Sequence, residues 1–136
     1  MSLLVKLRLH LKGVFVHKTA LVSTDQIGKG SRIWAFVNIC QNSYIGMNCN
    51  ICDHCFIENN VRIGNNVTIK TGVSLWSGVT IDDNVFIGPF VEIQKNVKIG
   101  KNCRIQSHSF ICEKVTIGDN CFIGHGVNFV NDKFNN

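Results

Sequence analysis

Proline, long apolar runs and clusters of basic residues are what this sequence lacks. Pro89 is the only proline, and no proline-rich or glycine-rich linker divides the 136 residues into domains. No apolar run is long enough for a membrane helix, and nothing before Gly13 has the pattern of a secretory signal. Lysine and arginine are scattered rather than clustered, which argues against a nucleic-acid partner. We therefore expect one cytoplasmic domain that binds neither nucleic acid nor membrane.

The sequence does have a strict six-residue period. Every sixth residue from Ile27 to Ile123 is isoleucine, apart from Leu75. The residue two places before each of them is small or β-branched, as at Val37 and Cys49. A short fixed period of β-branched residues is typical of a β-helix solenoid, in which each coil stacks on the one before.

A second period groups the hexads in threes. An Ile-Gly pair recurs at one hexad in three, at Ile27-Gly28, Ile45-Gly46, Ile63-Gly64, Ile99-Gly100 and Ile117-Gly118. Three hexads therefore make one coil of eighteen residues, with three flat sides and three corners. We predict an all-β fold, a parallel β-helix of triangular coils stacked about 4.8 Å apart. It forms a single domain over residues 1–136, with coils over 13–132 and a tail at 133–136.

The first twelve residues alternate apolar and basic side chains. Leu7, Leu9 and Leu11 alternate with basic residues from Lys6 to Lys12. This alternation predicts a strand at residues 1–12 that caps the open N-terminal end of the solenoid. A basic patch that binds a phosphate is the alternative interpretation.

Seven cysteines raise the question of a disulfide or a zinc site. Four of them fall in the small interior column, where other coils have valine or serine: Cys49, Cys55, Cys103 and Cys121. Cys49 and Cys52 form a C-x-x-C pair, but their positions in the coil point the two side chains in different directions. Cysteine is a good small apolar residue in a reduced interior. We expect structural cysteines, with zinc as the alternative.

One of the three corners breaks a steric rule. The residue three places after each column isoleucine is expected to be left-handed, which glycine and asparagine tolerate best. These two residue types occupy every position of the first and third corners except Lys114 and Asp132. The second corner instead reads Phe36, His54, Gly72, Phe90, His108 and Gly126. Such breaks tend to mark functional sites or interfaces.

Aromatic side chains also flank the second corner. Four outward positions on the two sides that meet there are Phe56, Phe86, Phe110 and Phe122. A column of exposed aromatic residues indicates an interface, and a closed ring of subunits would bury it. We expect a homotrimer with its active clefts along this edge. In the alternative interpretation, Phe36 and Phe90 only pack between subunits and the histidines are tolerated surface residues.

His54 is the main catalytic candidate. It lies in C-N-I-C-D-H-C-F-I-E-N, with Asp53 and Glu58 near enough in sequence to orient or charge the ring. A neutral imidazole can accept a proton from an attacking amine or hydroxyl. The alternative is a partly exposed histidine at a turn without a chemical role.

The hexad pattern resembles that of the hexapeptide-repeat acyltransferases, and this resemblance implies a left-handed helix and a trimer. The stretch from Ile33 to Gly88 resembles the nucleotide-sugar 3-N-acetyltransferases more specifically. The matching motifs are I-W-A-F-V at 33–37, C-N-I-C-D-H at 49–54, F-I-E-N at 56–59, V-T-I-K at 67–70, L-W-S-G at 75–78 and D-N-V-F-I-G-P at 83–89. Those enzymes acetylate 3-amino-3,6-dideoxyhexoses carried on dTDP, for surface polysaccharides. The resemblance implies acetyl-CoA as cosubstrate, no metal, and His54 as the catalytic base.

The chain departs from that family in two places. Ser77 stands where the family's L-W-D-G motif has an acidic residue. Residues 92–96 fill the slot of the family's T-N-D-x-F-P-R segment, and a related V-N-D-K-F appears only at 130–134. The shift amounts to two whole coils, which can be inserted without disturbing a stack. We expect a longer variant with a lengthened CoA groove.

Two groups of residues are candidates for ligand contacts. The substrate candidates are Trp34, Asn38, Asn50, Asp53, Glu58, Asn59, Lys70 and Trp76, and the cofactor candidates are Gly88, Ser107, His108, Gly124 and His125. The tryptophans are equally good interface anchors, and the polar residues equally good solvated surface. His108 and His125 are a second catalytic candidate, a CoA contact or polar corner residues. An O-acetyltransferase and a non-catalytic binding or assembly solenoid remain alternative functions.

Overall fold

The computed structural model describes residues 1–131, which form one short helix and a stack of very short strands. The elements are α1 (Leu3–Leu11), β1 (Phe15–Val16), β2 (Leu21–Val22), β3 (Arg32–Ile33), β4 (Asn38–Ile39), β5 (Tyr44–Ile45), β6 (Asn50–Ile51), β7 (Phe56–Ile57), β8 (Arg62–Ile63), β9 (Thr68–Ile69), β10 (Ser74–Leu75), β11 (Thr80–Ile81), β12 (Phe86–Ile87), β13 (Glu92–Ile93), β14 (Lys98–Ile99), β15 (Arg104–Ile105), β16 (Phe110–Ile111), β17 (Thr116–Ile117), β18 (Phe122–Ile123) and β19 (Asn128–Phe129).

The strands form three parallel sheets, one for each side of a triangular coil. The first sheet runs β1-β3-β6-β9-β12-β15-β18, the second runs from β2 to β19, and the third runs from β5 to β17. Each strand pairs with the equivalent strand of the next coil, as Ile33 pairs with Ile51. The predicted parallel β-helix with eighteen-residue coils is therefore confirmed.

The isoleucine column fills the interior of the prism. From Ile27 to Ile111 every member of this column, Leu75 included, is at most 2% exposed. The smaller residue two places earlier is also buried in most coils, as at Val37 and Val61. A fully buried isoleucine contributes about 1.5–3 kcal/mol to folding. The period of six thus stabilises every side of every coil.

The corners have the expected left-handed backbone. The non-glycine residues at these positions have φ between 57° and 66°, among them His54 and Lys114. Asparagine adopts this conformation at little cost, whereas other residues with a Cβ lose about 1–2 kcal/mol. The asparagine columns of the first and third corners therefore follow from backbone sterics, and the bulky residues of the second corner are strained.

Lys114 provides a test of this steric cost, because it lies in an otherwise glycine- and asparagine-rich corner with φ 66°. We expect Lys114→Asn to raise Tm by roughly 2–6 °C, because it relieves about 1 kcal/mol of backbone strain. Lys95→Asn is the control, since it removes the same charge at a corner position without positive φ. Equal Tm changes in the two variants would show that charge, not backbone strain, is responsible.

The prediction of a strand at residues 1–12 is wrong, because Leu3–Leu11 form the helix α1. Ser2 caps this helix by accepting the Val5 N–H at 3.2 Å, and Gly13 follows it with φ 74°. Leucine, lysine and arginine are strong helix formers, and a serine start and a glycine end stabilise a short helix further. Alternation of apolar and basic residues did not distinguish this helix from a strand.

The helix nevertheless covers the N-terminal end of the stack, as expected of the cap. Leu9 is buried in the core. Arg8 forms an ion pair with Asp25 at 2.7 Å, and the hydrogen bond from Arg8 holds the pKa of that carboxyl below its usual value. Lys12 Nζ donates to the carbonyl oxygens of Asp25 and Ile27. Two of the basic side chains therefore bind the first coil, which disfavours the phosphate-patch alternative. The end of the last coil at residue 132 and the tail at 133–136 lie outside the described residues.

The cysteines are unpaired thiols within the described part of the chain. Cys49, Cys55 and Cys103 are buried in the interior column as expected, and Cys121 is partly buried. Burial raises the pKa of Cys55 to about 12. The folded state therefore keeps this thiol protonated at a pH where the unfolded chain has ionised it.

This difference predicts a loss of stability in alkali. The contribution of Cys55 is complete below the unfolded pKa near 9 and is lost as the pH rises towards about 12. Cys55→Val introduces the residue found at Val37 and Val73 of the same column. We expect the Tm of the variant to fall less steeply than that of the wild type between about pH 8 and about pH 11. Parallel Tm curves would contradict this prediction.

Candidate active site

The second corner is the edge between the two seven-stranded sheets. Each of its turns is fixed to the previous coil by a backbone hydrogen bond. His54 N–H donates to the Ala35 carbonyl at 3.0 Å, and Gly72 N–H donates in the same way to Asp53. This ladder places the side chains of successive coils in one file along the edge.

His54 stacks on the aromatic ring one coil earlier. The ring centroids of His54 and Phe36 lie 5.0 Å apart, with 17° between the ring planes. His108 packs on Phe90 in a similar way, at 5.3 Å and 34°. The imidazole of His54 is thus held by a left-handed backbone and by one ring face, and it is exposed to solvent.

The carboxylates near His54 do not orient its ring. Asp53 uses its backbone carbonyl to accept from the Gly72 N–H and from Thr71 Oγ1, the latter at 2.8 Å. Within residues 1–131, no hydrogen bond or ion pair joins either Asp53 or Glu58 to the imidazole. Phe36 is the residue that positions His54, and the sequence-based interpretation assigned it no such role.

Four of the substrate candidates lie beside the second corner, namely Trp34, Asn38, Asp53 and Lys70. Asn50 opens strand β6, four residues before His54. Trp34 Nε1 donates to Asn50 Oδ1 at 2.6 Å, and the Trp34 ring packs on Phe15 at 5.0 Å. Burial raises the pKa of the Cys52 thiol. The positive charge of the nearby Lys70 side chain lowers this pKa by a smaller amount.

The other three substrate candidates do not lie at this corner, although Glu58 was predicted to lie near His54. Glu58 and Trp76 follow strands β7 and β10 of the second sheet, and Asn59 lies in the turn of the third corner. The Trp76 ring packs edge-on against Phe56 at 5.6 Å. Its buried Nε1 has no hydrogen-bond partner among the described residues. A whole strand of the second sheet separates these residues from His54.

The cofactor candidates lie along the same edge as His54, in the last three coils. Gly88 is buried, and a Cβ there would lie 2.8 Å from the backbone nitrogen of Ser107, so no side chain fits. Ser107 Oγ and His125 Nδ1 form a hydrogen bond of 2.8 Å across adjacent coils. Three coils separate His54 from His108, which corresponds to about 14 Å.

Arg104 is a further charged residue on this face of the molecule that motif reasoning missed. Its guanidinium lies over the Phe86 ring, 4.6 Å from the centroid. The two residues are paired in the first sheet, one coil apart. An outward arginine paired with an outward phenylalanine in the eighteen-residue alignment is the signal that would have found this contact.

Among the residues that the structure describes, no three His, Cys, Asp or Glu side chains converge as metal ligands would. No helix in that part of the chain has the length and apolar character needed to cross a membrane.

A family model agrees with the coil pattern. The family described as bacterial transferase hexapeptide (six repeats) matches residues 48–83, 78–113 and 96–131, which together exceed half of the chain. The chain belongs to this hexapeptide family.

The proteins to which this hexapeptide protein is similar include N-acetyltransferases and an N-acyltransferase. It is 54% identical over 35 residues to the dTDP-3-amino-3,6-dideoxy-alpha-D-galactopyranose 3-N-acetyltransferase of Aneurinibacillus thermoaerophilus, a match that covers 26% of the chain. Its fold is similar to that of GDP-perosamine N-acetyl transferase from Caulobacter crescentus in complex with CoA and GDP-perosamine, with TM-score 0.72 and 21% identity over 82% of the chain. It is also similar to AntD, an N-acyltransferase from Bacillus cereus in complex with dTDP and 3-hydroxybutyryl-CoA, with TM-score 0.68 and 18% identity over 79% of the chain.

These matches differ in how much of each relative they span. The hexapeptide protein covers 18% of the Aneurinibacillus enzyme, 53% of the Caulobacter enzyme and 73% of AntD. The two structural matches are below a quarter in identity and show that the fold is shared.

Proposed function

We propose that this hexapeptide protein transfers an acetyl group from acetyl-CoA to the amino group of a nucleotide-linked 3-amino-3,6-dideoxyhexose. The position of His54 carries the proposal. Its imidazole is exposed on a turn that the stack of coils holds rigidly, and it faces no competing ionic partner among the described residues. The strong local identity to an enzyme that acts on such a sugar supports the substrate class.

In the proposed reaction His54 acts as the general base. The amine nitrogen attacks the thioester carbonyl carbon, and its proton passes to the His54 imidazole as the C–N bond forms. Backbone N–H groups at neighbouring turns stabilise the oxyanion of the tetrahedral intermediate. The C–S bond then breaks, and His54 returns the proton to the departing thiolate. The products are the acetamido sugar and CoA with a free thiol.

The neighbouring residues divide between the two ligands in this proposal. Four residues beside the corner, and Asn50 on strand β6, bind the nucleotide sugar; the four are Trp34, Asn38, Asp53 and Lys70. The Asp53 carboxylate attracts the sugar while its amine is still an ammonium group. The acetyl-CoA groove runs along the edge in the C-terminal direction, past Gly88, Ser107, His108, Gly124 and His125. Glu58, Asn59 and Trp76 belong to the cleft wall that an adjacent subunit contributes.

A homotrimer completes these clefts. Phe36 and Phe90 expose 58% and 56% of their surface at the second corner, although both are left-handed residues that cost folding energy. An interface that buries the two rings explains why the corner keeps them. The unpaired cysteines fit a reducing compartment, and we place the enzyme in the cytoplasm and in surface-polysaccharide synthesis.

The test of the activity is thiol release from acetyl-CoA. dTDP-3-amino-3,6-dideoxyhexoses and their UDP counterparts are offered in parallel, and CoA binding is measured by calorimetry. Release with one of the amino sugars, and a product heavier by one acetyl group in mass spectrometry, is the expected result. Absence of both release and CoA binding would overturn the proposal and favour a binding or assembly role.

The trimer is tested separately by light scattering. We expect three times the chain mass at micromolar concentration, and a smaller mass for Phe90→Asn, because the substitution removes an exposed ring while asparagine keeps the φ of 58°. Lys114→Asn is the control and should remain trimeric. A wild-type monomer would refute this part of the proposal.

A further inference from the structure

The second corner contains the same three residues twice. Phe36, His54 and Gly72 occupy three successive coils, and Phe90, His108 and Gly126 occupy the next three. The outward residue of the following strand also repeats, since Phe56 stands two residues after His54 and Phe110 two residues after His108. We call residues 31–84 the first unit and residues 85–131 the second unit.

The two histidines have the same local geometry. His54 and His108 have φ of 63° and 61°, and each ring packs on the phenylalanine one coil earlier, at 5.0 Å and 5.3 Å. Both are exposed. The coil after each histidine has a glycine at the corner, so no side chain follows the imidazole in the file. What makes His54 a candidate base therefore applies equally to His108.

The residues beside the histidines differ between the units. Asp53 precedes His54, whereas Ser107 precedes His108. Ser107 Oγ is hydrogen-bonded at 2.8 Å to His125 Nδ1, and the first unit has Thr71 in the place of His125. The first unit contains four Asp or Glu and three Lys or Arg residues, and the second contains three Asp or Glu and five Lys or Arg residues. The second histidine thus lacks a carboxylate at the residue before it. Glu92, which stands one coil earlier in the place of Asn38, accepts a hydrogen bond from Gln94 Nε2.

We propose that His108 is the base of a second acyl-transfer centre, which acylates a sugar hydroxyl rather than an amine. The proposal rests on the proposed function, because it uses the same thioester donor. The hydroxyl oxygen attacks the thioester carbonyl carbon, and its proton passes to the His108 imidazole as the C–O bond forms. The C–S bond breaks, and the proton moves from His108 to the thiolate. The products are an ester and CoA with a free thiol.

The distance between the histidines requires two centres rather than one. Three coils correspond to about 14 Å, whereas a base must lie about 3 Å from the proton that it removes. His108 therefore cannot assist attack on a carbonyl held at His54. A sugar hydroxyl is neutral, so a carboxylate adds little electrostatic attraction for it. The hydrogen-bonded Ser107 and His125 side chains can both donate a hydrogen bond to this hydroxyl and accept one from it. A thioester held at His54 cannot reach His108, so the second centre must bind its own acetyl-CoA with the thioester beside the His108 imidazole.

The experiment compares two matched acceptors in the thiol-release assay. One is a dTDP-3-amino-3,6-dideoxyhexose, and the other is the dTDP-6-deoxyhexose with a hydroxyl in place of the amine. The variants are His54→Asn and His108→Asn, since asparagine keeps the left-handed backbone, with Lys114→Asn as the control. We expect His108→Asn to lower kcat for the hydroxyl acceptor about a hundredfold or more. With the amino acceptor it should act mainly through KM for acetyl-CoA, because His108 lines the acetyl-CoA groove. His54→Asn should lower kcat for the amino acceptor and leave kcat for the hydroxyl acceptor unchanged.

Each outcome decides between the two proposals. If the amino acceptor reacts and the hydroxyl acceptor does not, the second centre is refuted and the proposed function stands. If His108→Asn raises KM for acetyl-CoA with both acceptors and leaves both kcat values unchanged, His108 is a cofactor contact and not a base. If neither acceptor reacts and CoA does not bind, the proposed function itself fails, and the second centre with it.

Discussion

Replacing His54 by asparagine should lower kcat for the amino-sugar acceptor by about a hundredfold or more, because a positioned general base contributes that much. The change removes the imidazole and keeps the backbone, since asparagine adopts φ near 60° at many other corners of this chain, such as Asn60 and Asn96. The stack on Phe36 is lost without a new clash. We expect KM for the sugar to change less than kcat, because the imidazole acts mainly as the proton is transferred.

Alanine is the less informative replacement at this position. It would combine loss of the base with about 1–2 kcal/mol of left-handed strain, so reduced activity could reflect a disturbed turn. Lys114→Asn is the matched control, because it makes the same kind of change at another left-handed corner, with φ 66°. A His54→Asn variant that turns over at the wild-type rate would remove His54 from the mechanism, whatever the state of the fold.

A repeat sequence makes most of this fold predictable. Six-residue spacing places Ile51 and Ile69 one coil apart on the same side, and their pairing follows from the stacking of equal coils. The left-handed corners were also predictable, because the choice between asparagine, glycine and larger residues depends on φ alone. Even strained positions such as Phe90 and His108 were found from their place in the period.

The N-terminal helix was not predictable in the same way, because it lies outside the repeat. Alternation of leucine with lysine and arginine suits a strand, whereas the cap at Ser2 and the high helix propensity of the same residues favour a helix. Packing against the end of the stack requires only one fully buried side chain, Leu9. A helix can provide this contact, so the alternating apolar pattern of a strand is not needed there.

The sequence predicted which residues of the candidate site share a column along the stack, but not which of their side chains are in contact. Sequence register placed His54 and His108 in one file, which the structure confirms. It did not predict that the Phe36 ring would hold His54, nor that Ser107 would bond to His125, because both contacts depend on side-chain orientation between coils. The expectation that Glu58 would orient the His54 ring was wrong because strand β7 lies between the two residues. Glu58 is therefore at the far end of that side of the coil.

The largest stability effect is expected at the centre of the stack. Ile63→Ala should lower the free energy of unfolding by about 2–5 kcal/mol, because it leaves a cavity that the rigid coils on both sides cannot fill. Ile63 is 1% exposed and pairs with the same column in the coils before and after it, at Ile45 and Ile81.

Ile117→Ala is the matched control in the same column. Ile117 belongs to β17, the last strand of the third sheet within residues 1–131, and is 6% exposed. In a solenoid each coil interacts only with its neighbours, so a defect in a terminal coil disturbs one interface and a central defect disturbs two. We therefore expect a clearly smaller decrease in Tm for Ile117→Ala than for Ile63→Ala. Equal decreases would mean that the coils unfold as one cooperative block, in which the position of a cavity along the axis has no effect on its cost.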